Sequence, residues 1–340
     1  MQEPPLLNDL RRMSARVGKN ILLVQGAGGN SSVKLGDVLW VKASGTWLAD
    51  AEDKDIFVPV PLSGACAALA RGDERIPLAA GTTLRASIET SLHALMPHPI
   101  VLHVHSVNTI AWAARIDAGE EFARRLQGLA WRRLSYHHPG LPLAQAVGKT
   151  MAEAKVDVLI LGNHGLVVGA ASSAAAEALV MEVEERLALQ PRSAPAADDE
   201  ALARICAGTD YRLPQDPFCH SAATDPHSLA IATGGSLYPD HVVFLGPAMP
   251  VLANDKGSDL RNARGKADGS PSPVAILIPG AGAIMRKDAS AGAEAMLSCL
   301  ALVTSRLSPT AAITYLTADN ERALLNWDAE RYRQQLTANR

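Results

Sequence analysis

Residues 101–106, "VLHVHS", carry two histidines two positions apart in an apolar run. On a strand, His103 and His105 point to one face, because side chains alternate with a period of two. Two imidazoles buried side by side without partners are costly, and neither gains by becoming charged. A metal ion relieves that arrangement, since neutral imidazole is a good zinc ligand. His164, in "LGNHGLVVG", offers a third ligand from a tight turn between strands. Three histidines with one position left open is the pattern of catalytic zinc. Glu89 lies 14 residues before His103, on a helix able to return to that strand. It suits a labile fourth ligand, a proton shuttle, or both. The competing readings are satisfied core histidines and a solvated glutamate. His93, His98, His137 and His138 read as surface or packing residues.

A glycine cluster, "GAGGNSS" at residues 26–32, is the other candidate. A dinucleotide loop needs a strand, G-x-G-x-x-G, and then a helix whose N-terminus meets the pyrophosphate. Gly26 and Gly28 fit, but position 31 is serine, and "SSVKLGDVLWV" alternates like a hairpin turning at Gly36 and Asp37. No NAD is therefore expected. "IPGAGAIM", near residue 278, follows a strand but precedes "MRKD", and its glycines read as a turn. For the first loop two readings remain. One is a plain β-turn; the other is a cradle in which Gly29, Asn30 and Ser31 or Ser32 donate to one phosphate.

The surrounding pattern is that of an α/β chain. Leu6, Leu10, Met13 and Val17 mark a helix closing at Gly18, and "ILLVQ", "SSVKL", "DVLWVKAS" and "IFVPV" are β-rich. Ser63 and Ser87 are expected to open short helices, the second placing Glu89 and His93 on one face. "PIVLHVH" is a strand, "VNTIAWAAR" and "LPLAQAVGKTMAEA" are helices, and "DVLILGNHGLVVGA" is a strand pair leading into the helix "SAAAEALVMEVEERLAL". Pro, Ala and acidic residues at 191–200 suggest a linker. Beyond it, "HVVFLG" and "VAILIPG" read as buried strands and "AGAEAMLSCLALVTSRL" as a helix. The polar stretch at 254–273 reads as a mobile loop. The expected organisation is a lobe at 1–190, a linker, and a smaller α/β lobe at 201–340.

Apolar residues make up 48% of the 340 and charged residues 20%, an ordinary globular composition. A net charge of −3 gives no electrostatic reason to expect nucleic acid or an anionic membrane. The longest uncharged stretch, 158–176, is broken by Asn163, His164, glycines and serines, so no span is expected. Cys66, Cys206, Cys219 and Cys299 have neither disulfide-framework nor thiolate-metal spacing. With no signal peptide evident at the start, the cytoplasm is the expected location.

In order, "GGNSS", "KASG", "SIETSLH", "HVH" and "NHG" resemble the loops, acid-bearing helix and paired ligands of the class II (zinc-dependent) aldolase/adducin family, over residues 5–190. "VLWVKASG", "SIETSLHALMPHPIVLHVH", "HHPGLPLA" and "LYPDHVVFLG" resemble its bifunctional rhamnulose-1-phosphate aldolase/alcohol dehydrogenase branch. Those proteins continue into a dehydrogenase domain; this chain ends before one, so no oxidoreductase activity is expected of it. The resemblance implies an α/β/α sandwich with a central, mainly antiparallel sheet, plus a smaller C-terminal α/β lobe. It implies that His103, His105 and His164 hold Zn2+ or another divalent metal and that Glu89 moves the proton. It places Gly29, Asn30, Ser44, Gly45 and Ser87 around a substrate phosphate; Lys42, beside that loop, adds a positive charge. Tyr136 is the nearest match to a family tyrosine that assists proton transfer. The implied reaction is retro-aldol cleavage of a ketose 1-phosphate, of rhamnulose or fuculose type, to dihydroxyacetone phosphate and a small aldehyde. The partner is thus a small phosphorylated sugar, and the expected assembly is a homo-oligomer, a tetramer by family likeness. Pentulose-phosphate 4-epimerisation, decarboxylation of a 3-oxo acid phosphate, and a non-catalytic adducin-like module are the alternatives.

Overall fold

The computed structural model describes residues 5–74, 76, 78–79, 81–252 and 272–338. Except for its last two residues, the loop expected at 254–273 lies outside the described residues.

Seven strands form the central sheet: β1 (Asn30–Leu35), β2 (Val38–Lys42), β3 (Phe57–Pro61), β4 (Ile100–Val104), β5 (Trp131–Leu134), β6 (Val158–Leu161) and β7 (Gly165–Ala170). Their order is β3-β2-β1-β4-β7-β6-β5, and only the β5–β6 pair is parallel. The sheet is thus mainly antiparallel, as expected. The β1–β2 hairpin turns at Gly36, whose φ of +60° suits glycine. β4 is buried along its whole length at the sheet centre, which is why "IVLHV" is apolar on both faces apart from its histidine. The β1–β4 register sets Asn30 opposite His103.

Helices α1 (Pro5–Gly18), α4 (Val107–Ala113), α5 (Ala118–Arg125) and α7 (Ser173–Leu187) cover one face, enclosing Val33, Leu102, Val104 and Val168. Helices α2 (Leu62–Ala70), α3 (Thr90–Leu95) and α6 (Leu141–Glu153) cover the other, where two clusters enclose Leu39, Val41, Val101 and Val167. These are the three layers of an α/β/α sandwich. In α1 the buried stripe includes Leu7, while Leu6 is 45% exposed, a shift of one position from the expected face.

The C-terminal region adds α8 (Asp199–Cys206), β8 (Tyr211–Arg212), α9 (Ser221–Thr224), α10 (Pro226–Gly234), α11 (Pro239–Leu245), β9 (Ala275–Ile278), β10 (Gly282–Arg286), α12 (Ala291–Thr304), α13 (Ala318–Leu325) and α14 (Asp328–Ala338). Its small sheet has the order β8-β10-β9. Val107, Ile110, Ala111 and Ala114, on and just after α4, share one apolar cluster with Leu237, Val242, Leu297 and Leu300. The C-terminal region is therefore packed directly against a helix of the sandwich.

Three local expectations are corrected. "ILLVQ" is a turn, in which Leu23 and Val24 nitrogens donate to the Asn20 carbonyl at 2.9 and 3.0 Å; Leu23 and Val24 are apolar because they enter the core, while Ile21 is 45% exposed. "HVVFLG" is helix α11, opened by Pro239 at its first position and stopped at Gly246, whose φ is +91°. A short apolar run does not by itself separate a strand from a buried helix. Ser63 lies inside α2 and donates to Asp37 at 2.6 Å instead of capping the helix.

Candidate active site

The site forms where β4 ends. Ser106 caps α4 by accepting from the Thr109 nitrogen at 2.9 Å, so the strand stops just before it and His105 is left at its mouth. His164 comes from the β6–β7 turn, where Asn163 has φ 51° and Gly165 follows. A Cβ on Gly165 would lie 2.5 Å from the Val104 carbonyl oxygen, so glycine lets this turn press against β4. Asn163 fixes the turn by donating to the carbonyls of Leu237 at 3.0 Å and Thr314 at 2.8 Å.

The three imidazoles converge: candidate ligand atoms of His103, His105 and His164 all lie within 4.8 Å of one another, and all three residues are buried. His103 Nδ1 donates to the Leu166 carbonyl at 3.0 Å, and His105 Nδ1 faces Asp240 Oδ2 at 3.2 Å. With its Nδ1 proton on a carbonyl, a neutral His103 keeps Nε2 as an acceptor, and that atom meets His105 Nε2 at 3.1 Å. Burial reinforces the neutral form, pushing His103 down and His164 down to about 3.

Glu89 completes the set. Its Oε2 accepts from Asn30 Nδ2 at 2.8 Å and lies 3.4 Å from His103 Nε2, and Oε1 lies 3.5 Å from His164 Nε2. Burial alone would raise this carboxyl, but the neighbouring imidazoles and the Asn30 amide outweigh it and hold it near 2. Oε1, buried, has no hydrogen-bond partner. Three converging imidazoles beside an unsatisfied carboxylate oxygen fit a divalent cation with an open position. Glu89 sits at the N-cap of α3, not on a helical face with His93 as expected, and Ser87 Oγ receives its backbone nitrogen at 3.2 Å.

The glycine loop adjoins this cluster. Gly29 has φ +61°, and a Cβ there would lie 2.8 Å from the His103 carbonyl oxygen. Gly29, Asn30, Ser44, Gly45 and Ser87 line one small cavity with Glu89, His105 and His164, so the structure brings the expected phosphate and metal residues together. That cavity measures about 30 Å³, room for roughly one water. A larger one of about 510 Å³ shares Ser44, Ser87 and Ile88 with it. Lys42, wholly buried, donates to the carbonyls of Ala27 at 3.1 Å and Thr46 at 2.6 Å, and burial pushes it down to about 7. Tyr136 is not among the lining residues; its hydroxyl is buried without a partner and is pushed up by burial.

Four contributors escape sequence reasoning. His93, read as a packing residue, is fully buried and orders the loop: its Nε2 donates to Asn30 Oδ1, and its Nδ1 accepts from Ser32 Oγ at 2.7 Å. This fixes the Asn30 amide with its NH2 toward Glu89. Asp240, Glu330 and Arg333 come from the C-terminal region. Arg333 holds Asp240 with two bonds of 2.6 and 2.7 Å and reaches Glu330 at 3.3 Å. The only sequence signal for these was the segment "LYPDHVVFLG" among the likenesses, and it named no role for Asp240.

Among the described residues no helix is long and apolar enough to cross a membrane. The family model described as "Class II Aldolase and Adducin N-terminal domain" matches residues 10–190. The chain is similar to a Bacillus subtilis protein named "Uncharacterized oxidoreductase YuxG", at 26% identity over 185 residues, covering 49% of this chain and 27% of that protein. The chain therefore spans about a quarter of that relative's length. Similar solved structures include the N-terminal class II aldolase domain of a conserved Thermoplasma acidophilum protein, with 23% identity, a TM-score of 0.48, and 55% and 94% of the two chains covered. An L-fuculose 1-phosphate aldolase is similar at 20% identity and a TM-score of 0.42, with 55% and 85% covered. A sugar-phosphate aldolase from Thermotoga maritima is similar at 13% and 0.44, with 54% and 91% covered.

Proposed function

This chain belongs to the class II aldolase and adducin N-terminal domain family, and on that premise we propose that it is a metal-dependent lyase cleaving a ketose 1-phosphate between C3 and C4. The observation that carries this reading is the convergence of His103, His105 and His164, with ligand atoms within 4.8 Å of one another, beside a buried Glu89 oxygen that has no hydrogen-bond partner. His103, His105 and His164 would hold a divalent metal, zinc being the expected one, with Glu89 as a labile fourth ligand. A bound metal supplies Lewis-acid stabilisation of the negative charge that grows as the bond breaks.

The chain's own residues do the rest. Gly29, Asn30, Ser44, Gly45 and Ser87 bind the phosphate, and Lys42, tied to the carbonyls of Ala27 and Thr46, stands at the same wall. Glu89, an ionised carboxylate turned toward the histidines by Asn30, would take the proton that the C4 hydroxyl gives up as the C3–C4 bond breaks and the aldehyde forms, and hand it to C3 of the departing three-carbon fragment; in the condensation direction the same proton moves back. His93 keeps Asn30 in the orientation this needs. The products are dihydroxyacetone phosphate and a small aldehyde.

The test is a panel of ketose phosphates with the zinc-loaded protein, read by release of dihydroxyacetone phosphate. Release from a rhamnulose- or fuculose-type substrate supports the reading. Exchange of configuration at C4 of a pentulose phosphate, or carbon dioxide from a 3-oxo acid phosphate, replaces it with the epimerase or decarboxylase alternative. Zinc-loaded protein inert to the whole panel points to a non-catalytic interaction module.

A further inference from the structure

We propose that Asp240 is a positioning residue that fixes His105 for the metal, and that Arg333 in turn fixes Asp240. The inference rests on the metal site proposed above, and it gives the region beyond the family match a part in that site.

Three independent observations meet at this pair. The first is the contact itself, His105 Nδ1 to Asp240 Oδ2 at 3.2 Å, with both side chains buried. An imidazole that gives its Nδ1 proton to a carboxylate keeps its Nε2 lone pair inward and becomes a stronger donor to a metal. The second is that Asp240 cannot swing away, because Arg333 grips both of its oxygens and is itself buried. The third is Gly28: a Cβ there would lie 2.7 Å from His105 Nδ1 and 3.1 Å from Asp240 Oδ2. The backbone of the first glycine loop is thus fitted against this pair and leaves no space for a side chain.

The other two imidazoles are held differently. His103 Nδ1 meets a backbone carbonyl within the sheet, and His164 Nδ1 has no hydrogen-bond partner. His105 alone of the three is oriented by a charged group through Nδ1, and that group stands on α11, outside residues 10–190. The affinity of the site for its metal is therefore set partly by the C-terminal region.

The test uses the full chain, with zinc affinity measured by competition against a chromophoric chelator. The tautomer of His105 is read in the zinc-free protein from long-range 1H–15N correlations. Asp240→Asn is expected to bind zinc about 10- to 100-fold more weakly, the range typical for loss of such a partner. It is also expected to lose the single Nδ1-protonated state of His105. Asp225→Asn is the control, because Asp225 pairs with Arg192 and caps α10 away from the histidines. It should leave zinc affinity within about twofold of wild type, while any general loosening of the C-terminal region weakens both variants alike. A folded Asp240→Asn chain with wild-type affinity overturns the inference and leaves the metal site standing. Equal weakening in Asp225→Asn overturns it as well. If Asp240→Asn does not fold, the wild-type spectrum decides: His105 protonated on Nε2 refutes the positioning role. Wild-type protein that takes up no zinc refutes the metal site itself, and this inference with it.

Discussion

Gly28→Ala isolates what the first glycine loop does for the site. Gly28 does not have a left-handed φ, so alanine can adopt its backbone and the whole effect is crowding. The new methyl would stand 2.7 Å from His105 Nδ1, 3.0 Å from the Gln25 carbonyl oxygen and 3.1 Å from Asp240 Oδ2. Ordinary contact needs about 3.5 Å, so the nearest neighbour must retreat by roughly 0.8 Å. None of the three yields easily. The Gln25 oxygen is backbone and already accepts the Gly28 nitrogen at 3.0 Å. Asp240 is held by Arg333, and the His105 ring lies against His103 with centroids 4.9 Å apart. Overpacking of this kind costs about 1–3 kcal/mol, and the displaced ring loses the Asp240 contact, which translates to roughly tenfold weaker zinc. Gly36→Ala supplies the comparison. Its φ is +60° but no atom lies within 4 Å of the added Cβ, so the cost is backbone strain of about 1–2 kcal/mol. Urea unfolding of the metal-free chains should therefore show similar destabilisation for both variants, whereas chelator competition should separate them. Wild-type zinc affinity in folded Gly28→Ala, or an equal loss in Gly36→Ala, would refute the argument that this loop is shaped around His105 and Asp240.

The remaining predictions concern the proton, the loop and pH. Glu89→Gln should retain zinc within a few-fold while turnover falls by about 10²–10⁴, the usual contribution of a general acid–base group; undiminished turnover would take Glu89 out of the mechanism. His93→Phe removes the acceptor of Ser32 and the donor to Asn30. The Asn30 amide is then free to turn, and KM for the phosphorylated substrate should rise about tenfold in steady-state assays while zinc affinity holds. His241 is wholly buried and burial pushes it down to about 4, against about 6.5 in the unfolded chain. Its contribution to stability is therefore complete above pH 6.5 and is lost as pH falls from there to about 4, by at most about 1.4 kcal/mol per pH unit. In metal-free protein His241→Asn should flatten that part of the stability–pH curve, and an unchanged slope would show that His241 is not held neutral.

What the sequence disclosed follows from the range of the interactions involved. The H-x-H pair was legible because a strand's period of two is local, and "NHG" because an asparagine with a glycine two residues on, between two apolar runs, is itself a turn signal. The hairpin after "GGNSS" was legible for the same reason, and it removed the dinucleotide reading. "ILLVQ" and "HVVFLG" misled because each is an apolar run of only five or six residues. Burial makes such a run apolar whether it is turn, helix or strand. Asp240 and Arg333 stand 93 residues apart, and nothing in either neighbourhood marks an ion pair. His93 was hidden differently: its type and spacing suited packing, and only the three-dimensional register of Asn30 and Ser32 gave its two nitrogens partners.

The distribution of partners among the buried acids also bears on which one would handle the proton in the proposed reaction. Asp240 has both oxygens on Arg333 and one of them on His105 as well, so most of its acceptor capacity is committed and its direction is fixed by those two residues. Glu330 shares the same guanidinium, and burial raises its carboxyl above the ordinary range against the pull of Arg333. Glu89 is the one described carboxylate with a buried oxygen lacking any hydrogen-bond partner, and that oxygen lies 3.5 Å from His164 Nε2. Its other oxygen is anchored by Asn30, so the free one has a fixed direction. A base aimed at a reacting carbon needs that combination of one committed and one uncommitted oxygen. Moving the anchor should therefore act on Glu89 as strongly as on phosphate binding, and Asn30→Ala is expected to lower kcat as well as raise KM. A pure KM effect would mean that Glu89 keeps its direction without Asn30, and that the carboxylate is aimed by the histidines alone.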